Sequence, residues 1–204
     1  MLVTKVEASG KTKYKIYIEE EFAFVLYKGE LSRFRIKENE EIEPEVVEKI
    51  KKEVILKRVK LRALHLLNDM DRTEADLRKK LKQGCYTEEM IEQALKYVKS
   101  FGYIEDSGYA RRFIESRKES KSKKEIYAAL CNKGVNKELI EQALEACYSE
   151  EGEEAAIAAI LRKKKFCPET ADREQKQKMY GYLTRKGFRY ENIRQVIQVY
   201  DGNA

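Results

Sequence analysis

Apolar residues change their spacing once along the chain, from a period of two to a period near 3.6. Between residues 1 and 41, Tyr14, Ile16 and Ile18 alternate with Lys13, Lys15 and Tyr17, the stretch Leu2 to Glu7 mixes Val3 with the charged Lys5 and Glu7, and Phe22 to Tyr27 is a second apolar run. Such alternation places one face of a strand on a core. With Gly10 and Gly29 as turn points it predicts a small antiparallel hairpin or meander, marginal alone and expected to lean on helices. From Pro44 the period lengthens. Val47, Ile50, Val54, Leu61, Leu64 and Leu67 predict one long amphipathic helix. Its proline fits a first turn, and the acidic run Glu38 to Glu45 suits the helix dipole.

The helical pattern then repeats. Leu77, Leu81, Ile91, Ala94, Leu95 and Val98 correspond without gaps to Ile126, Leu130, Ile140, Ala143, Leu144 and Cys147, and again to Met179, Leu183, Ile193, Val196, Ile197 and Tyr200. A period of about fifty residues indicates one supersecondary unit used several times. Each copy reads as three helices. Thr73 with Asp76, Ser122 with Glu125, and Asp172 with Gln175 resemble capping boxes opening the second helices. Gly134 and Gly187 close two of them, and Thr87, Asn136 and Arg189 precede the third helices. Cys85 occupies the slot of those glycines, with Gly84 one residue early. The first copy therefore either ends its second helix sooner or forces Cys85 into a costlier backbone region. The fold expected is mainly α: three tandem three-helix, helix-turn-helix-like repeats in an elongated curved array, with a small N-terminal antiparallel β piece. The expected boundaries are 1–43 for the β piece, 44–104 for the long helix and first repeat, 105–148 for the second and 149–204 for the third. Each repeat has few apolar positions, so neighbours or the linking helices are expected to share burial.

Charge changes the picture. Charged residues make up 38% of the chain, well above an ordinary domain. Residues 1–56 hold 11 Lys/Arg against 12 acids, and the remainder 31 against 24. A basic repeat region points to an anionic partner, nucleic acid or an acidic protein surface. The positive charge falls on the second helices: Arg78, Lys79, Lys80 and Lys82; Lys121, Lys123 and Lys124; Lys176, Lys178, Arg185 and Lys186. The third helices of the first two repeats instead expose Glu88, Glu89, Glu92, Glu138 and Glu141, which would face phosphates if those helices entered a DNA groove. The third repeat differs, with Arg189, Arg194 and Gln195.

Catalytic patterns are missing. Gly10-Lys11-Thr12 imitates the end of a phosphate loop, but Lys5 stands where the first glycine belongs and a strand follows, so it reads as a hairpin turn. Cys85, Cys131, Cys147 and Cys167 form no CxxC pair, and His65 is the only histidine, with no nucleophile and acid tied to it. No catalytic residue, cofactor or metal is expected, and the cysteines read as small buried hydrophobes of an intracellular chain. No run approaches a membrane span, so a cytoplasmic protein without membrane contact is expected.

The segments Arg72-Thr-Glu-Ala-Asp-Leu77, Gly102-Tyr-Ile-Glu-Asp106 with Tyr109 and Ala110, Lys133-Gly134-Val135, Lys176-Gln-Lys-Met179 and Leu183-Thr-Arg-Lys-Gly-Phe188 resemble the RecX family, in order, over about residues 57–200. The resemblance implies a non-enzymatic regulator of the RecA recombinase that binds RecA filaments on single-stranded DNA along the helical groove; nothing in the sequence demands a dimer, so a monomer is expected. It also implies inhibition of filament extension, ATP hydrolysis and strand exchange, in DNA repair and the SOS response, with possible direct DNA contact. The basic surface expected to carry this contact is Arg78, Lys79, Lys82, Lys123, Lys124, Lys176, Lys178 and Arg185. The reading from a different class is a stand-alone DNA-binding helical module, recognisable by steep salt dependence without any need for RecA.

Overall fold

A computed structural model describes residues 1–201, without the side chains of Glu150, Val199, Tyr200 and Asp201. The Tyr200 position of the repeat therefore lies outside the described side chains. The chain divides between Ile104 and Glu105 into two compact units.

The first unit opens with three antiparallel strands in the order β1 (Val3–Ala8), β2 (Lys13–Ile18) and β3 (Glu21–Tyr27). Gly10, at φ +106°, turns the first hairpin. Glu19 and Glu20 turn the second, with both residues at positive φ, as a tight two-residue hairpin demands. The outer edge of β1 is covered by the segment around residues 39–42: Val3 N–H donates to Glu40 O at 3.0 Å and Asn39 N–H to Val3 O at 2.8 Å. Such cover removes an exposed pairing edge. Gly29 is not a turn point. Residues Lys28–Phe34 form a short helix, α1, closed by Arg35 in the left-handed region.

Helices α2 (Pro44–Ile50) and α3 (Leu56–Asp69) are continuous through a π-helical turn, Lys51–Ile55, in which Leu56 N–H reaches back to Lys51 O. That turn inserts one residue and rotates the register. The buried stripe is Val47, Ile50, Ile55, Val59, Ala63 and Leu66, not the one expected from unbroken helical spacing, and Leu61 is 66% exposed. Val54, Leu64 and Leu67 of the expected stripe pack at the edge of that core, half-buried, and only Leu61 falls outside it. Helices α4 (Glu74–Gln83) and α5 (Glu88–Ser100) complete the first repeat. Val3, Ile16 and Leu26 of the sheet share one core with Ile50, Val59, Leu77, Leu81 and Leu95, so the β piece does lean on the helices. Arg58 of α3 fastens the two layers. It donates to Val25 O at 2.9 Å, pairs with Glu30 and lies over the Tyr27 ring at 4.6 Å.

The second unit holds the other two repeats: α6 (Asp106–Glu115), α7 (Lys123–Asn132) and α8 (Lys137–Cys147), then α9 (Glu150–Lys163), α10 (Arg173–Arg185) and α11 (Tyr190–Asp201). Each has its own apolar core, centred on Ile114, Ile126, Leu130 and Ile140 in one and on Ile157, Leu183, Phe188 and Ile193 in the other. Burial is therefore shared through the linking helix in the first unit and not pooled between these two neighbours, which are joined by polar contacts. Ser122 and Asp172 form complete capping boxes, and Thr73 accepts from Asp76 N–H.

The turn between second and third helices has the same backbone in all three repeats. Gly134 and Gly187 adopt φ +76° and +87°, and Cys85 adopts +58°. Gly84 takes the ordinary right-handed cap held by Lys133 and Lys186 elsewhere. The register is thus kept and Cys85 bears the strain. Cys85 and Cys167 are exposed, and Cys131 and Cys147 only half-buried, contrary to the expectation of buried thiols. Among the described residues no helix is long and apolar enough to cross a membrane.

Candidate interaction surface

Helix α4 turns Leu77 and Leu81 inward, which sends Arg78, Lys79 and Lys82 outward. The acidic face of α5 lies alongside. Arg78 pairs with Glu88 and Glu92 and reaches Glu74 at 3.3 Å, while Lys82 pairs with Glu88 at 2.8 Å and Lys99 with Glu74. The basic second helix and acidic third helix of the first repeat thus neutralise each other. Burial pushes the Glu74 carboxyl up, but Lys99 and then Arg78 outweigh it and hold the group below its ordinary value. Lys82 does the same for Glu88 against a smaller effect of burial, with help from Arg78. Arg78, and to a lesser degree Lys82, are engaged within the unit. Lys79 and Lys80 are exposed.

In the second unit the turn before α11 docks on the start of α7. Ser122 Oγ accepts from Glu125 N–H at 3.1 Å and donates to Lys186 O at 2.6 Å. Lys186 Nζ lies 3.1 Å from Glu125, which also faces Lys121 at 3.4 Å. Burial raises the Glu125 carboxyl, but Lys186 and Lys121 more than offset it; Glu125 in turn raises Lys186. Gly187 leaves no room: a Cβ there would sit 2.8 Å from Lys124 Cβ. On α9, Glu153 is 4% exposed, and its carboxylate accepts from Arg189 N–H at 3.1 Å and Asn192 Nδ2 at 3.0 Å, capping α11.

This junction frames a groove of about 590 Å³, with Lys123, Lys124 and Tyr127 on one wall, Glu141 and Glu145 on another, and Arg189 at the turn. Lys123 and Lys124 are exposed and, among the described residues, enter no ion pair. Of the sequence-predicted cations these two are brought together best. Lys178 pairs with Glu174 at 2.6 Å, both about three-quarters exposed; Arg185 is exposed, and Lys176 is half-buried.

Two features escaped sequence reasoning. Lys163 to Lys165 complement the dipole at the end of α9, and with Lys178 they also line one groove. Phe101 and Tyr103, 56% and 57% exposed, stack at 5.7 Å, with Tyr97 5.1 Å from Phe101. The clustering of three rings within residues 97–103 was the available signal. Among the described residues no three His, Cys, Asp or Glu side chains converge as a metal would require.

Three family models match the chain: RecX, first three-helix domain, over residues 60–97; RecX, second three-helix domain, over 106–144; and RecX, third three-helix domain, over 150–197. The chain is 34% identical over 201 residues to the regulatory protein RecX of Caldanaerobacter subterraneus subsp. tengcongensis, covering 98% of this chain and 100% of that one. It is 28% identical over 200 residues to that of Clostridium beijerinckii, covering 96% and 94%. A crystal structure of regulatory protein RecX superposes with TM-score 0.62 at 26% identity, covering 97% of this chain and 98% of that one. RecX from Lactobacillus salivarius shares the fold, with TM-score 0.61 at 23% identity over 72% of this chain and 96% of that one.

Proposed function

The chain belongs to the RecX family, and from that premise we propose that it is a cytoplasmic, non-enzymatic regulator of RecA. It binds RecA filaments on single-stranded DNA as a monomer and inhibits their extension, ATP hydrolysis and strand exchange. The observation that supports this reading is the pair of unpaired ammonium groups, Lys123 and Lys124, at the rim of the groove in the second unit. Exposed cations outside any close ion pair are open to an anionic partner, although Glu141 and Glu145 line the far wall of the same groove. Lys79, Lys178 and Arg185 add exposed charge elsewhere, so several weak contacts on one chain reinforce one another along a periodic filament. Arg78 is left out of this contact set, because its guanidinium already serves three carboxylates.

The test is RecA-driven strand exchange and RecA ATPase activity with the wild-type chain and with Lys123→Glu/Lys124→Glu. Both side chains are exposed and, among the described residues, outside any ion pair, and glutamate keeps the Lys124 Cβ beside Gly187; because Glu141, Glu145 and Glu153 line the same groove, an unchanged thermal midpoint is the control that separates lost contact from lost stability. Inhibition should weaken at least about fivefold in the concentration required. Inhibition at unchanged concentration would refute the role of these lysines; no effect of the wild-type chain on either reaction would refute the filament reading. Binding to duplex DNA alone, with a steep salt slope and no need for RecA, would favour the stand-alone DNA-binding module.

A further inference from the structure

The third repeat carries a second groove, of about 770 Å³, on the side of α10 that presents Gln175, Lys178, Met179 and Tyr182. Those residues recur at three, four and seven, hence along a single helix face. Opposite them the chain leaves α9 through Lys163, Lys164 and Lys165, with Lys165 at φ +53°, and returns through Phe166. Four lysines from two helices and a turn therefore line the groove together with Phe166 and Met179, and among its described lining residues there is no carboxylate. Complementing the dipole of α9 accounts for a lysine or two at its end, but not for Lys178, which belongs to another helix. Lys178 is drawn toward Glu174, in a pair so exposed that a better partner displaces it.

We propose that this groove docks an acidic polypeptide segment, whose carboxylates meet the lysine rim while an apolar side chain of the segment enters the floor beside Met179. Charge complementarity selects an anionic occupant, and the state of the aromatic ring selects a peptide over nucleic acid. Single-stranded nucleic acid gains its affinity by stacking bases on open aromatic faces. Here Lys164 Nζ stands 4.2 Å and Lys186 Nζ 5.6 Å from the centroid of Tyr182, and Phe166 is half-buried in the repeat's core. The ring best placed for stacking is already covered by ammonium groups, whereas the thioether of Met179 adapts to an aliphatic side chain. The volume suits a few side chains. The inference does not rest on the filament reading, because its binding is measured without RecA.

The experiment is fluorescence anisotropy with the full chain and a labelled peptide repeating Glu-Glu-Leu, against its Gln-Gln-Leu counterpart and against oligothymidylate. The acidic peptide should bind at low salt, weaken as salt screens the rim, and leave the glutamine peptide unbound. Lys163→Glu/Lys178→Glu should weaken acidic-peptide binding at least about tenfold without moving the thermal midpoint. Should that variant fail to fold, Lys163→Gln/Lys178→Gln carries the same test with a loss of about threefold. Equal binding of the two peptides, unchanged affinity in the folded variant, or a variant that loses oligothymidylate while keeping the peptide would each overturn the proposal.

Discussion

Replacing Arg78 by Met removes one guanidinium from the centre of the α4–α5 pairing and keeps most of the aliphatic stem that packs along the helix. The contact with Glu74 is the one that matters for stability, since both side chains are largely screened, at 27% and 30% exposure. Glu88 and Glu92 are 52% and 57% exposed and contribute little. The expected loss is about 1 kcal/mol at pH 7, read as roughly fivefold faster amide exchange in peptides from α4 and α5. Its pH dependence follows from the carboxyls. Glu74 and Glu88 are held below the ordinary value of 4.5 in the folded state. Their stabilisation is therefore complete above that value and lost as pH falls through the lower folded values. The difference between variant and wild type should then be full at pH 7 and shrink as pH falls below the ordinary carboxylate value, and shrink also in about 1 M salt. Equal exchange at pH 7, or a penalty that persists in acid, would refute the pairing argument. Charge reversal at this position would crowd four carboxylates together, so a loss of activity there would report on folding rather than on partner contact.

Cys85→Gly should raise stability by about 0.5–1 kcal/mol, the left-handed strain relieved less the extra freedom gained by the unfolded chain; a thermal scan should show it as an upward shift of a few degrees. Gly187→Ala should cost more than about 2 kcal/mol, because strain at φ +87° adds to the contact with Lys124, and urea unfolding of the second unit measures it. Glu153→Ala leaves the Asn192 amide and the Arg189 N–H without their buried acceptor, which should cost about 2–4 kcal/mol. Thermal unfolding, or earlier loss of exchange protection in α11 than in α8, checks that value.

The sequence alone determined the elements that depend on neighbours a few residues apart. The alternation around Ile16 predicted strands, the recurrence of Leu77, Ile126 and Met179 predicted three like helical units, and Ser122 with Glu125 marked a helix start, because caps and periodic faces are local physics. Family membership was legible from ordered short segments of the same kind. It missed one local event: past the π turn at Lys51–Ile55 the centre of the buried face is Val59, Ala63 and Leu66, with Leu64 and Leu67 at its edge and Leu61 outside it. It also treated the cations as a property of each helix. Only the tertiary structure decided which of them are spent. Arg78 meets Glu74, Glu88 and Glu92 across two helices, whereas Lys123 and Lys124 enter no ion pair among the described residues. The difference is three-dimensional: the net charge at a side chain depends on what packs within a few ångströms of it, and sequence spacing does not carry that distance.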